Sequence, residues 1–532
     1  MKSLINLGFM LLLCSITAMA QVDPGSFGYY NEALIFSRTN PGGSARVQGF
    51  GGSQIALGGD ISSANSNPAG LGFFNKSVFS FTPSFNSHQS DTQFRGGSTN
   101  TFQNNFNINN MGVVFNNTNQ GEESGKFRGG SFSLSFQRVN DFHNEFNYEA
   151  FSTDNSIIDS YIENAGSTDP GNLSGFESVA YDHFLIDLAD YDLPTSQPFY
   201  LDDNGVIFPN PGDGTLEGYG SPFGRESNPY SIPMQMGSVR TIGAQYQWNI
   251  SYGANYDDLF YFGGGLGVQS ISYTQERTFI ERDFGFEDNT TDDLINEIRI
   301  DDRLQISGIG INATAGIIVR PVDFFRFGVS YVTPTFNTLN EESDYIFTTD
   351  WNSSYSYDIG GEEIELGNIS DQSDLLLSNY TLRTPSKLSI GTAFFIKKAG
   401  FITTDIEFLD YATAQIKSND FSVTADNRTI NSLYKSSVNY RIGGEVRVDI
   451  FRFRAGYSYQ GDPFTSTDID NSVSRISGGL GYRVQDYYID LAVTNTRSNT
   501  TFSPYDLADG TSPLSETKNR STNVSVTLGF NF

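Results

Sequence analysis

The chain holds one cysteine, Cys14, in 532 residues, and only 32 lysines and arginines against 61 aspartates and glutamates, a formal net charge of −29. A lone cysteine forms no intrachain disulfide and supplies no cysteine-based metal set. The shortage of cations argues against nucleic acid, whose phosphates are bound by clustered lysine and arginine that release counterions. Beyond the first twenty residues no run of eighteen apolar residues occurs, so no membrane-spanning helix is expected there. The three histidines, His88, His143 and His183, lack metal-ligand spacing. No nucleophile stands with a partnered base, so neither enzyme chemistry nor a cofactor is expected.

What the chain has in plenty is Phe (45), Tyr (28) and Gly (54), a strand-forming composition. At its start, Lys2, an apolar run from Leu4 to Ile16 and the sequence Ala18-Met19-Ala20 read as an export signal over residues 1–20. Lipidation at Cys14 is the rival reading, but it requires a small residue where Leu13 stands. Cleavage after Ala20 leaves a mature chain with no cysteine.

The last residues, NRSTNVSVTLGFNF, put Val524, Val526, Leu528, Phe530 and Phe532 on one parity and Asn523, Ser525, Thr527, Gly529 and Asn531 on the other. VRTIGAQYQWNISY, KSSVNYRIGGEVRVD and FRFRAGYSYQ repeat the pattern, with charges on the polar side. Period two describes a strand with one apolar and one polar face. A soluble sandwich and an outer-membrane barrel both fit one such strand. Segment length favours the barrel, because many segments reach the roughly 9–11 residues that a tilted strand needs to cross hydrocarbon.

Strands are expected near 76–86, 108–118, 130–150, 239–254, 258–280, 300–320, 324–348, 379–397, 400–418, 433–449, 451–462, 474–485, 487–500 and 519–532. About fourteen is an even number, as single-chain bacterial barrels have. Short turns (254–258, 320–324, 397–400, 448–451, 484–487) alternate with long polar connections, the largest 151–238. The expected fold is therefore all-β, a transmembrane antiparallel barrel over 76–532 with long extracellular loops and periplasmic termini. Its surroundings would be outer-membrane lipid and lipopolysaccharide, and the terminal aromatic Phe532 fits recognition by the barrel assembly machinery.

Two segments break the alternation: one near Ser307-Gly308, read as a bulge at Gly308, and one near Asn140-Asp141 in the third strand. FGGGLG lacks the following helix of a phosphate cradle, and FEDNTTDDLINEIRIDD lacks calcium-loop spacing. Residues 176–191 carry an apolar stripe that predicts a loop helix.

Ahead of the first strand, residues 21–75 are rich in Gly and Ser and end in Asn67-Pro68-Ala69-Gly70-Leu71. This segment resembles the N-terminal hatch of FadL-type outer-membrane transporters of long-chain fatty acids and other hydrophobic compounds. LRTPSKLSIGTAFFIKKAGFITTDIEFLDY, VDIFRFRAGYSYQGDPF and ISGGLGYRV are similar to strands of that family. The resemblance covers the hatch and the C-terminal third, whereas 151–238 matches only in strand pattern. It implies capture of a hydrophobic ligand at the outer loops and lateral release beside a kinked strand, controlled by the hatch motif Asn67, Pro68, Ala69 and Gly70. Asn140 and Asp141 fall where the kink is expected. Arg441 and Arg454, on the polar parity, are candidates to hold a ligand carboxylate, against the alternative that they pair with Asp405, Glu407 or Glu445. The other function weighed is a FadL-like barrel serving as a subunit of an outer-membrane secretion or assembly complex. An apolar pocket beneath the loops would favour transport, and a lumen filled with paired charges would favour the scaffold.

Overall fold

The computed structural model describes residues 26–40, 42–118, 125–152, 155–189, 199–201, 207–209, 218–221, 233–284, 295–352, 356–359, 362–466 and 469–532. The export signal and much of 190–232 lie outside the described residues.

Fourteen antiparallel strands close into a barrel. They are β1 (Val78–Phe94), β2 (Gly97–Thr118), β3 (Phe127–Asp141, resuming at Asn144–Phe151), β4 (Met234–Tyr256), β5 (Phe260–Arg282), β6 (Ile295–Val322) and β7 (Phe325–Val332, resuming at Phe336–Trp351). There follow β8 (Leu376–Arg383, resuming at Lys387–Ile396), β9 (Gly400–Asp410), β10 (Ser436–Val448), β11 (Phe451–Gln460), β12 (Val473–Arg483), β13 (Tyr487–Phe502) and β14 (Ser515–Asn531). Closure is the pairing of β1 with β14, from Val78–Asn531 to Phe94–Ser515.

Burial separates the barrel from the sandwich. Trp248, Ile250, Leu266, Val268, Ile309, Ile311, Phe453 and Leu528 are exposed on the outside, while Ser80, Thr82, Ser133, Gln245, Gln247 and Asn249 are buried inside. A wall with apolar residues out and polar residues in belongs in hydrocarbon.

Two expectations need correction. No loop separates β1 from β2: a two-residue turn at Arg95-Gly96, both at positive φ, continues the pair as a ribbon to Phe94–Gly97. Apart from Phe94, Phe102 and Phe106 those residues are polar on both faces, too few apolar positions for hydrophobic period to find them. Nor does Gly308 bulge, since it pairs in unbroken register with Ile271 on one side and Leu339 on the other. The face switch has another cause. Odd-numbered residues point outward throughout, apolar from Ile309 on and polar at Arg303, Gln305 and Ser307, while Ile306 is buried inside. The pattern inverts where the strand leaves the apolar belt and its inner face meets an apolar interior.

Three helices lie in the N-terminal segment: α1 (Tyr29–Ser37), α2 (Ala45–Gly49) and α3 (Ser63–Ser66), followed by a 3-10 turn at Pro68–Phe73. Helices α4 (Ile157–Ala165) and α5 (Phe176–Asp182) follow β3, and α6 (Thr424–Leu433) precedes β10. The helix expected over 176–191 is thus shorter. It joins α4 in an apolar cluster with Phe279, Phe347 and Trp351 on the extended strand ends. The buried Glu281 of β5 accepts the Ile157 backbone N–H at 2.9 Å, capping α4 from another element.

Candidate functional site

The inner wall carries in-register glycines where the N-terminal segment touches it. Gly263 pairs with both Gly253 and Gly316. A Cβ on Gly263 would stand 2.5 Å from the Pro68 carbonyl carbon, and one on Gly253 2.2 Å from the Pro68 oxygen. Gly328–Gly391 faces Ile55–Ala56 and Gly443–Gly456 faces Phe50 in the same way. Without side chains the strands admit a second backbone at contact distance.

Asn67 is buried and works in three directions. Its Oδ1 accepts the Ala69 N–H at 3.2 Å, capping the 3-10 turn, and its Nδ2 donates to the Ile55 carbonyl at 2.7 Å and the Val329 carbonyl at 3.5 Å. Pro68 opens the turn, where its missing N–H costs nothing. Gly70 packs so closely on Ser63 and Gly58 that a Cβ would lie 2.7 Å from the Ser63 hydroxyl.

Further side chains tie the segment to the wall. Asp405 accepts the Gln54 and Ile55 N–H groups at 2.7 and 3.1 Å, and Thr527 accepts the Ala45 N–H at 2.7 Å. Arg326 lies over the Phe73 and Phe395 rings at 4.0 and 4.4 Å. Arg46 is 3.6 Å from Glu445, which also pairs with Arg454 at 2.8 Å, and Arg454 reaches Asp490 at 2.7 Å. Arg454 is thus fully buried between two acids. Arg441 pairs with Glu407 at 3.0 Å while lining a central cavity of about 130 Å³.

The third strand breaks at Asn140-Asp141. Its register with β4 shifts between Arg138 and Asn140, it ends at Asp141, and it resumes at Asn144. The backbone ladder with β2 stops at Asn110–Gln137 among the described residues. The N-terminal segment occupies the freed edge: Asn40 donates to the Val139 carbonyl at 2.9 Å and Gly42 to that of Arg138 at 2.8 Å. Asn140 donates from its side chain to the Ile35 and Arg38 carbonyls, each at 3.2 Å. Asp141 gathers Arg138 and His143, both at 2.7 Å, and Asn86 at 2.6 Å.

Phe142, inside the break, points into an apolar chamber whose wall includes Ile271, Tyr273, Ile306, Leu339, Tyr380 and Ile430. Helix α1 fills it. Phe36 meets Phe142 and Tyr273 edge-on at 5.7 and 6.1 Å, and Tyr29 packs on Tyr380 at 4.9 Å. Glu32 goes in with them, and burial together with Glu341 and Asp426 raises its carboxyl well above the usual range. Sequence reasoning missed this chamber, because its residues come a few at a time from elements far apart in the chain. The only local signal was the unexpected inward Ile306.

No family model matches the sequence, and no curated protein matches it. Among solved structures, the chain is similar to a FadL homologue of Pseudomonas aeruginosa at TM-score 0.55 and 12% identity, over 93% of this chain and 100% of that one. It is also similar to the toluene transporter TodX of Pseudomonas putida (TM-score 0.48, 11% identity, 93% and 100% covered). The toluene transporter TbuX of Ralstonia pickettii aligns at TM-score 0.46 and 13% identity, with 93% and 99% covered. The first of these likenesses shows the fold, that of a FadL-type barrel.

Proposed function

We propose that this barrel is a FadL-type outer-membrane transporter of hydrophobic small molecules. The observation that carries the reading is the apolar chamber beneath the outer loops, lined partly by Phe142 of the broken strand and filled by the protein's own helix α1. The ligand enters under the loops, takes the place of α1, and leaves sideways through the break once Asn40 and Gly42 withdraw from its edge. The short-turn rim and both termini face the periplasm. Long-chain fatty acids and aromatic hydrocarbons both suit the chamber: burial of hydrocarbon gains about 0.8 kcal/mol per methylene, so release rather than capture is the difficult step. The hatch, residues 21–75, addresses release, with Asn67, Pro68, Ala69 and Gly70 as its pivot.

A second reading, a subunit of an outer-membrane complex, is favoured by one observation. The Arg46–Glu445–Arg454–Asp490 chain joins the segment to the wall through buried ion pairs, as a permanently shut lumen would. The test is uptake of labelled oleate and of labelled toluene by cells lacking their own transporter, with Asn67→Ala beside the wild type at equal surface level. Uptake of either compound, impaired by the substitution, is expected. A folded barrel that takes up neither would favour the complex subunit.

A further inference from the structure

Four arginines of the lumen are balanced by acids. Arg46, Arg138, Arg441 and Arg454 each face a carboxylate within 4 Å. Arg475 on β12 is different. Its one hydrogen bond is from Nε to the Thr496 hydroxyl at 3.1 Å, and among the described residues no carboxylate lies within ion-pair distance. The charged side chains acting on it are Arg441 and Arg138, both cations. It lines two internal cavities, the central one and a larger one of about 280 Å³.

The larger cavity concentrates positive charge in a chain where acids outnumber bases 61 to 32. Its lining holds four arginines (Arg38, Arg138, Arg475, Arg520) and a single acid, Asp141. Asp141 is spoken for by Arg138 and His143, and Arg520 faces Asp91 at 3.9 Å. The remaining wall is mostly Asn, Gln, Ser and Thr, which suits a hydrated, hydrogen-bonding guest. A half-buried cation left without a counter-charge carries an uncompensated desolvation cost, and a guanidinium with its terminal nitrogens free matches a carboxylate or phosphate through paired hydrogen bonds.

We propose that this cavity, between the N-terminal segment and strands β11–β14, β1 and β3, binds an oxyanion, a carboxylate or phosphate group, at Arg475. Arg38 comes from the segment and Arg475 from the wall, so a bound anion bridges the two, and its binding is linked to the seating of the segment. The inference is independent of the transport reading, because the cavity exists with α1 in place.

The test is calorimetric titration of the purified full-length barrel in detergent with inorganic phosphate, decanoate and decanol, comparing wild type, Arg475→Gln and Arg475→Lys. Folding is monitored by heat-modifiable gel mobility. Phosphate and decanoate are expected to bind and compete, decanol not to compete, and Arg475→Gln to weaken binding at least tenfold. Binding of phosphate identifies a free anion as a sufficient guest; Arg475-dependent binding of decanoate alone assigns the site to the head group of an amphiphile. Binding of neither anion, or binding that Arg475→Gln leaves unchanged, overturns the proposal. If Arg475→Gln fails to fold, Arg475→Lys decides: it keeps the charge and loses the fork, so anion binding should weaken severalfold, and an unchanged affinity overturns the site.

Discussion

At the scale of single residues, the side chain that most constrains the account is Glu32. Its carboxyl is buried in the apolar chamber with Glu341 and Asp426 nearby, and its pKa in the fold is raised. The folded state therefore holds a proton that the undocked helix releases. Docking of α1 gains fully from this below about pH 4.3, the unperturbed value, and loses the gain as pH rises through the raised value. A spin label at Tyr30→Cys should therefore become more mobile as pH rises from 4.5, and Glu32→Gln should flatten the pH dependence while holding the label immobile. A second residue-scale prediction concerns Arg454, which lies between Glu445 and Asp490. Arg454→Met leaves two buried acids short of a partner, a cost of about 3–5 kcal/mol, read as a lowered temperature for loss of heat-modifiable mobility. Asn67→Ala removes a cap and two carbonyl contacts, about 1–3 kcal/mol. It should loosen residues 55–70 to limited proteolysis without unfolding the barrel.

Among the elements, the glycine rows and the broken third strand carry the design. Gly263→Val would drive a side chain into the Pro68 backbone, and since the N-terminal segment is the softer partner, it should unseat. The expected result is a folded barrel with raised conductance to small ions in planar bilayers; unchanged conductance would mean that the segment does not seal the lumen. Much of this level was legible in the sequence, and the reason is specific. Period two reads cleanly wherever one face meets lipid, as in Trp248–Tyr252 or Val524–Phe530, so strand number and order followed. It failed where strands leave hydrocarbon: at the polar ribbon of β1 and β2, and at Ser307-Gly308, where the inner face becomes apolar. The break at Asn140-Asp141 was visible as lost alternation, and the Asn-Pro as a turn. Helix α1 was not visible, because YYNEALIFS is enclosed on several sides and shows no clear polar face. The pairing of Arg454 on β11 with Asp490 on β13 reaches across β12 and was likewise beyond local pattern.

At the scale of the whole molecule, the barrel is an inverted globule whose apolar belt faces lipid and whose polar interior grips its own N-terminal segment through backbone contact, ion pairs and one apolar helix. The acids that make the chain strongly negative do not fill this interior unopposed, since Glu407, Glu445 and Asp490 there pair with Arg441, Arg46 and Arg454. Such a molecule can pass a hydrophobic compound only if α1 gives way. The most direct measurement is uptake of labelled oleate or toluene by cells carrying Phe36→Cys with Tyr273→Cys, whose parent rings lie 6.1 Å apart, after bridging the pair with a short reducible cross-linker. If the ligand must displace α1, bridging abolishes uptake and a reductant restores it; uptake undiminished in the bridged protein would mean that α1 stays in place during passage.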